Sequence, residues 1–377
     1  MKISFYLSES RNIRDGITHY AKEIIERLPH DDTDYRGIVY LSLKDNNETK
    51  QSFNKNFSNV PIKFVKTIFP KRILFKPFEY RLPLFYRSIM CDKAEVKVFF
   101  SNFLPKCRLK GKKIIVIHDL TPLYDETLTE KQSNRILKAY RHSAKSADLI
   151  FTDSEYSKNE ILKYCEAVEN KVIVNYCGID YNHFSTPVNE EQKNVVRKKY
   201  RLPPKYIFFA GQARKNKNLV NLLKAYALID EELRYEFKLV ISNHNDLMIS
   251  LVDDLKLNND VILLNGFEEE EKAALYQLSS CSVLISTSEG FGIPLIEAMA
   301  AGVPTLSSDV SCLPEVVAGA SYAVNPYNIQ EIAQGITELL TNEKLRSRLI
   351  EKGKIRAQNF SWESTANRLM DGIKSLF

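Results

Sequence analysis

Several signatures that would define a class of protein are missing from this chain of 377 residues. No apolar run approaches the roughly 20 residues that a membrane-spanning helix needs, and the N-terminal KISFYL is too short for a signal-peptide core. The six cysteines form no C-x-x-C pair and show no metal-ligand spacing with the six histidines. We therefore expect a cytoplasmic protein with reduced thiols.

A dinucleotide-binding fingerprint is also missing. It requires G-x-G-x-x-G after the first strand, with an acidic residue about 20 residues further on. The segment after the first predicted strand, SESRNIRDGITHYAKE, contains a single glycine, Gly16. A nicotinamide or flavin enzyme is therefore a weak explanation of this sequence.

Positive charge is concentrated in one part of the chain. The net charge is +6, but residues 61–113 contain 14 Lys and Arg against three acidic residues, so the remainder is about −5. Within this part, residues 69–90 alternate cations with aromatic side chains, and three prolines exclude one long helix. We expect residues 69–90 to bind an anionic membrane surface. The alternative is that the aromatics fill a core while the cations face water. We expect no nucleic-acid partner.

Short apolar runs alternate with longer amphipathic ones in two series. The first has six strand candidates between residues 2 and 174, and the second has five between residues 206 and 306. Strands alternating with helices favour parallel sheets covered on both faces. We therefore expect an α/β protein with two Rossmann-like domains facing across a cleft, at 1–185 and 186–358. A polar stretch, 186–203, joins the two series, and 359–377 forms a last helix.

The most informative segment is 286–314, STSEGFGIPLIEAMAAGVPTLSSDVSCLP. A buried strand leads through a Gly-Phe-Gly turn into a short apolar helix, and amides at such a turn, with the helix N-terminus, make an anion site. Glu297 is the single carboxylate of that helix, and burying it is costly without a partner. A sugar hydroxyl is a suitable partner. The alternative is a plain turn with Glu297 pointing at water.

A second anion signal follows the strand predicted at 206–210. In GQARKNKNLVNLLKAYA, Gly211 marks the turn, and Arg214, Lys215 and Lys217 precede the helix, where cations oppose the helix dipole. Preorganised cations at such a turn would bind an anionic ligand and stabilise negative charge that develops on it. The alternative is a solvated basic helix start.

Other polar residues have structural alternatives. His118 and Asp119 end the apolar strand of KKIIVIHDLTPLYDE, where ligands bind in open α/β sheets, although a histidine there is otherwise a satisfied core residue. Ser157 and Glu160 have the spacing of a helix-capping box. The D-x-D pair at 32–34 lies in a polar loop, so we interpret it as solvated rather than as a metal site.

Together these segments resemble the family 4 retaining glycosyltransferases, which have the GT-B fold. EGFGIPLIE resembles their E-x7-E motif, and GQARKNKNL resembles G-x-x-R-x-x-K-N-L. HDLTPLYDE is similar to the HD-x-x-P stretch of mannosyl- and related transferases. The matches extend over nearly the whole chain, and the C-terminal ones are the more specific.

The resemblance implies a role for each matching residue. His118 and Glu289 would act at the donor sugar, with Gly290, Phe291 and Gly292 beside it. Gly16, Arg214 and Lys217 would bind the donor diphosphate. Glu297 would bind the ribose, and Asp119 would orient the loop or the acceptor. The last helix would cross back onto the first domain.

The resemblance therefore implies a hexosyltransferase that moves a sugar, with retention of configuration, from a nucleotide diphosphate donor to a glycan or lipid-linked acceptor. GDP-mannose is the leading donor, and UDP-linked glucose, galactose or N-acetylglucosamine is the alternative. We expect no metal and no cofactor, and a setting in surface polysaccharide or O-antigen synthesis at the inner face of the cell membrane. A GT-B epimerase and an inactive carbohydrate-binding relative stay open.

Overall fold

The chain folds into two compact units. The computed structural model describes residues 1–7, 16–29, 32–41, 47–66, 93–105, 109–125 and 127–377. One unit comprises Met1–Cys177 with Trp362–Phe377, and the other comprises Gly178–Ser361. Each contains one sheet whose described strands pair in parallel. The predicted α/β class with two Rossmann-like halves is confirmed.

The first unit contains a seven-stranded sheet in the order β3-β2-β1-β4-β5-β6-β7. Its strands are β1 (Lys2–Tyr6), β2 (Asp34–Leu41), β3 (Ile62–Lys66), β4 (Val96–Phe99), β5 (Lys112–Val116), β6 (Leu149–Thr152) and β7 (Val172–Val174). β4 and β6 are buried along their whole length, as expected in a sheet covered on both faces. The helices described up to residue 177 are α1 (Gly16–Glu26), α2 (Asn47–Asn56), α3 (Glu130–Ser146) and α4 (Glu155–Cys165).

The second unit contains a six-stranded sheet in the order β10-β9-β8-β11-β12-β13. Its strands are β8 (Tyr206–Phe209), β9 (Lys238–Ile241), β10 (Val261–Leu263), β11 (Cys281–Leu284), β12 (Thr305–Ser308) and β13 (Tyr322–Val324). Its helices are α5 (Tyr181–Ser185), α6 (Glu190–Lys199), α7 (Leu219–Ala227), α8 (Glu231–Glu236), α9 (Asp246–Asp254), α10 (Lys272–Leu278), α11 (Ile293–Ala300), α12 (Leu313–Val317), α13 (Ile329–Thr341) and α14 (Glu343–Ala357). The strand order reverses between β8 and β11, which makes this the topological switch point.

The last helix, α15 (Trp362–Lys374), belongs to the first unit. The buried indole of Trp362 packs edge-on against the ring of Tyr20 in α1, with the ring centroids 5.7 Å apart. Beside it, Nε of Arg27 donates a hydrogen bond to Oε1 of Glu363 at 2.7 Å. The predicted return of the C-terminal helix to the first unit is confirmed.

The polar stretch 186–203 is not only a junction, because it contains α6. The Asn189 side chain caps this helix by accepting the Gln192 N–H at 2.8 Å. Val196 is the buried apolar residue of α6, and the last residue, Lys199, pairs with Glu271 at 2.8 Å. A cap, one buried valine and an ion pair at its last residue therefore stabilise a helix whose composition is otherwise that of a loop.

Two expectations concern membranes and thiols. Among the described residues, no helix combines the length and the apolar character needed to span a bilayer. The membrane-binding segment predicted at 69–90 lies outside the described residues, so that interpretation stays a prediction. Within the described part of the chain, four cysteines are buried and form no disulfide: Cys165, Cys177, Cys281 and Cys312.

Candidate active site

The two anion-binding turns predicted in the second unit follow neighbouring strands. β8 and β11 pair in parallel, so their carboxyl ends meet at one edge of the sheet, at the switch point where ligands of open α/β sheets bind. Backbone and side-chain hydrogen bonds join the turns directly. The Thr287 N–H donates to the Asn216 carbonyl at 2.8 Å, and Nδ2 of Asn216 donates to the Ser288 carbonyl at 2.9 Å.

These contacts bring Lys217 and Glu289 together. Nζ of Lys217 lies 2.5 Å from Oε1 of Glu289, and Oγ of Ser286 donates to the same oxygen at 2.5 Å. Both partners are largely buried, with 15% of the Lys217 side chain and 10% of the Glu289 side chain exposed. An ammonium has three donors, so Lys217 retains capacity for a ligand oxygen. Arg214, on the same turn, is exposed.

Gly292 shapes the turn that carries Glu289. Its φ of +98° is in the left-handed region, and a Cβ there would lie 2.5 Å from Cδ2 of Leu313. Only glycine satisfies both conditions. Gly290 and Phe291 are buried beside it, and the Glu289 N–H donates to Oγ of Ser311 at 3.1 Å. The turn therefore holds the carboxylate in one position.

Glu297 is paired within the protein. It is 2% exposed, its Oε1 lies 2.6 Å from Nζ of Lys272, and its Oε2 accepts the Tyr276 hydroxyl at 3.1 Å. The sequence argument for a buried, partnered carboxylate was sound, but the partners in the structure are side chains of α10. A carboxylate has about four acceptor sites, so Glu297 retains acceptor capacity for ribose hydroxyls, and that role stays a prediction.

Lys272 and Glu297 each act against the effect of burial on the pKa of the other. Burial raises the pKa of Glu297, and the Lys272 ammonium acts against this rise. Burial would lower the pKa of Lys272, but the carboxylates of Glu297 and Glu269 outweigh it and the pKa is raised. Burial and the Glu297 charge raise the pKa of Tyr276 well above its usual value, so its phenol stays a donor.

In the first unit, His118 follows β5 and forms a pair with Asp153, which follows β6. Nδ1 of His118 lies 2.8 Å from Oδ2 of Asp153. The backbone N–H of His118 donates to Oδ1 of Asn102 at 3.1 Å. The Tyr20 ring packs edge-on against the imidazole, with the ring centroids 4.9 Å apart. The sequence analysis did not single out Asp153. Its signal was a carboxylate directly after a buried strand, the same position that His118 occupies.

The loop after His118 is fixed by Asp119. Oδ1 of Asp119 accepts the Thr121 N–H at 3.0 Å, at the start of a 3-10 turn, Thr121–Tyr124. Gly16 begins α1, and a Cβ there would meet no atom of the described residues within 4 Å. The roles assigned to Asp119 and Gly16 stay predictions, and the preceding Asp15 lies outside the described residues.

The predicted capping box at Ser157 and Glu160 is wrong. The cap of α4 is Ser154, whose hydroxyl accepts the Ser157 N–H at 3.1 Å. The Glu160 carboxylate instead accepts the hydroxyls of Tyr124 and Tyr156. Burial, with the Asp119 charge adding to it, raises the pKa of Glu160 to about 7.

The D-x-D pair has no metal-site geometry. Asp34 is the first residue of β2 and forms a two-pronged pair with Arg36, at 2.8 and 3.1 Å. The hydrogen bond from Arg36 lowers the pKa of Asp34. Asp32 is exposed. Across the described ranges, no three His, Cys, Asp or Glu side chains are grouped to hold a metal ion.

Comparison with known proteins identifies the relatives of this arrangement. The profile of the family "Glycosyl transferases group 1" matches residues 191–356, which lie in the second unit. The serotype-specific mannosyltransferase WbdA of Escherichia coli is 27% identical over 286 residues, which are 72% of this chain and 34% of WbdA. The chain thus spans about a third of that relative's length. The O-antigen chain mannosyltransferase B of Escherichia coli is 25% identical over 389 aligned positions, covering both chains fully.

A solved structure supports the fold. Anabaena Alr3699/HepE in complex with UDP-glucose superposes with a TM-score of 0.78 at 16% identity, covering both chains fully. The two parallel sheets and this superposition identify the GT-B fold that the sequence predicts. The chain is similar to the glycosyl transferases group 1 over residues 191–356. It is similar to O-antigen mannosyltransferases.

Proposed function

We propose that the chain transfers mannose from GDP-mannose to a glycan or lipid-linked acceptor, with retention of configuration, in the synthesis of an O-antigen or related surface polysaccharide. The observation that carries this proposal is the Lys217–Glu289 contact at the second switch point, with Arg214 on the same turn. Mannose is favoured by the names of both Escherichia coli relatives and by the HDLTP segment.

The proposed chemistry assigns the second unit to the donor. Lys217 and Arg214 stabilise the diphosphate as it gains charge, and preorganised cations at that point lower the barrier more than they strengthen ground-state binding. Glu289 binds the sugar, and Glu297, held by Lys272 and Tyr276, binds the ribose. The acceptor oxygen attacks the anomeric carbon on the same face of the sugar from which the diphosphate leaves. The leaving phosphate takes the acceptor proton. In the first unit, His118 is proposed to bind sugar.

A thermal-shift panel tests the donor. GDP-mannose should raise the midpoint of unfolding more than UDP-glucose, UDP-galactose or UDP-N-acetylglucosamine, since a ligand that binds the native state stabilises it by mass action. If only a UDP-sugar stabilises the protein, the donor assignment is wrong while the class stands. Incubation with labelled GDP-mannose in the absence of acceptor distinguishes a transferase from an epimerase, because an epimerase would convert the donor to an isomeric nucleotide sugar.

We also propose that the enzyme works at the inner face of the cell membrane through residues 69–90. Lys71, Arg72, Lys76, Arg81 and Arg87 are its cations, and each cation near an anionic surface contributes about 1 kcal/mol. The protein should pellet with phosphatidylglycerol vesicles at low salt and be released at high salt. If replacing these five cations leaves pelleting unchanged, the segment is not a membrane site.

A further inference from the structure

Only one of the two carboxylate oxygens of Asp153 has a hydrogen-bond partner among the described residues. The residue is 4% exposed, and its Oδ2 lies 2.8 Å from Nδ1 of His118. Its Oδ1 is buried and has no hydrogen-bond partner among the described residues. A buried acceptor without a partner costs about 1–3 kcal/mol, more when it is charged. Such an atom, at the carboxyl edge of a parallel sheet, indicates that a bound ligand donates a hydrogen bond to it.

The neighbours of Asp153 are suited to a neutral, hydroxyl-bearing ligand. Burial, with the Asp153 charge adding to it, raises the pKa of Tyr20 well above its usual value, so the phenol stays protonated. Its hydroxyl lies 3.4 Å from Nδ2 of Asn175, which follows β7. Asn102, which follows β4, adds another uncharged polar group, and its side-chain oxygen accepts the backbone N–H of His118. Among the described residues, the cluster of Asp153, Tyr20, Asn102 and Asn175 therefore contains one aromatic ring, two amides and one carboxylate.

We propose that Asp153 is a positioning residue that also binds substrate: Oδ2 holds the His118 imidazole through Nδ1, and Oδ1 accepts a hydrogen bond from a sugar hydroxyl. The inference rests on the proposed function in taking the ligand to be a sugar. That hydroxyl belongs to either the donor sugar or the acceptor glycan, which present the same chemistry. No covalent step is assigned to Asp153.

Holding Nδ1 fixes the chemistry of the other ring nitrogen. A carboxylate at Nδ1 selects the tautomer that carries its proton there, and Nε2 then acts as the acceptor toward a ligand. Loss of Asp153 would release the ring to rotate and to carry its proton on Nε2, the form preferred by an unrestrained imidazole. A purely packing role for Asp153 would leave the tautomer unchanged.

The first experiment reads the tautomer in the ligand-free protein. In ¹⁵N NMR spectra at neutral pH, with His118→Gln assigning the resonances, His118 of the wild type should carry its proton on Nδ1. Asp153→Ala should move it to Nε2. The matched control is Asp148→Ala, which removes the carboxylate just before the same strand, where it pairs with Lys113 at 3.3 Å, and it should leave His118 unchanged. Unchanged His118 resonances in Asp153→Ala would overturn the positioning role.

The second experiment adds the two sugar sources separately. GDP-mannose and methyl α-mannoside are titrated into wild type and variants while the His118 resonances are followed. The titrant that supplies the hydroxyl should shift them in wild type and Asp148→Ala, with roughly tenfold weaker binding in Asp153→Ala. If neither sugar perturbs His118, or if Asp153→Ala binds as well as wild type, the sugar contact is refuted.

Two further readouts keep the proposal separate from folding defects and from the donor assignment. Should Asp153→Ala fail to fold, Asp153→Leu keeps a side chain of similar size that has no acceptor oxygen. It should still weaken sugar binding about tenfold, and wild-type affinity would refute the contact. Failure of GDP-mannose to shift the unfolding midpoint would count against the proposed donor, whereas the tautomer experiment contains no ligand and is unaffected.

Discussion

At the scale of single residues, the buried pair of Glu297 and Lys272 links stability to the candidate ribose site. Breaking a buried ion pair from one side typically costs about 3–5 kcal/mol, because it leaves an uncompensated charge. Lys272→Met should therefore destabilise the protein by roughly that amount and weaken donor binding, as measured by urea unfolding and by calorimetry. A Lys272→Arg variant, which keeps the charge, should recover part of both losses.

The same substitution has a defined pH dependence. Without Lys272, burial and the Glu269 charge raise the pKa of Glu297 further above the unfolded value, and the hydrogen bond from Tyr276 still acts against this rise. A carboxyl whose folded pKa is raised contributes stability below its unfolded pKa and loses it as pH rises through the folded pKa. The unfolding midpoint of Lys272→Met should therefore fall between pH 5 and 8 more steeply than in wild type. Adding Glu297→Gln should remove the extra slope, and an equal slope in the double variant would refute this account.

Glu160 gives a second pH-dependent prediction, in the first unit. Its folded pKa of about 7 is above the unfolded value, so its protonated form favours folding and this contribution disappears as pH rises through about 7. Wild type should lose thermal stability between pH 6 and 8, and Glu160→Gln should lose less. Glu155→Gln, at an exposed position of the same helix, should behave as wild type. If Glu160→Gln loses as much thermal stability between pH 6 and 8 as wild type, the Glu160 carboxyl does not titrate in that pH range.

Lys217 is the residue whose removal should affect turnover most strongly in the second unit. Lys217→Ala should lower kcat by about a hundredfold, the scale of losing one preorganised charge stabiliser. Lys215→Ala, two positions away on the exposed side of the turn, should change kcat by less than about threefold.

Activity should also survive thorough chelation, because the cations of the turn would replace a metal. Activity lost in chelator and restored by manganese or magnesium would contradict this.

At the scale of elements, the turn into α11 depends on Gly292. Gly292→Ala would combine a left-handed backbone, costing about 1–2 kcal/mol for a residue with a Cβ, with a 2.5 Å approach to Leu313. Gly319→Ala is the matched control, since its φ is +75° and a Cβ there would meet nothing within 4 Å. Thermal unfolding should show Gly292→Ala to be the less stable variant, by about 1–3 kcal/mol, with reduced turnover. Equal losses in both variants would mean that the Leu313 contact is relieved without cost.

Elements with clear apolar patterns were predictable, and those that depend on tertiary contacts were not. β8 was expected at 206–210 and spans Tyr206–Phe209, because YIFF is a continuous apolar run. β3 and β13 were missed, since IKFVK and YAV are short and gain their pairing only from neighbours already in the sheet. α6 was missed because one buried valine gives no periodic signal.

The candidate site was predictable to a similar degree. Lys217, Glu289 and Glu297 were found because unusual charges in apolar or helix-start contexts stand out locally. Lys272 and Asp153 were not found, because a lysine at a helix start and an aspartate after a strand are ordinary until the fold brings Glu297 and His118 beside them. Pairing across elements requires coordinates, whereas an isolated charge can be recognised from the chain alone.

At the scale of the whole molecule, the proposed activity is transfer of mannose from GDP-mannose with retention of configuration. The most direct measurement is time-resolved ¹³C NMR of the purified protein with GDP-mannose labelled at the anomeric carbon and methyl α-mannoside as acceptor. The first product signal should be that of an α-linked mannoside, formed in chelator and appearing about a hundredfold more slowly in Lys217→Ala. A β-linked first product, or GDP-mannose left intact while a UDP-sugar is consumed, would contradict it.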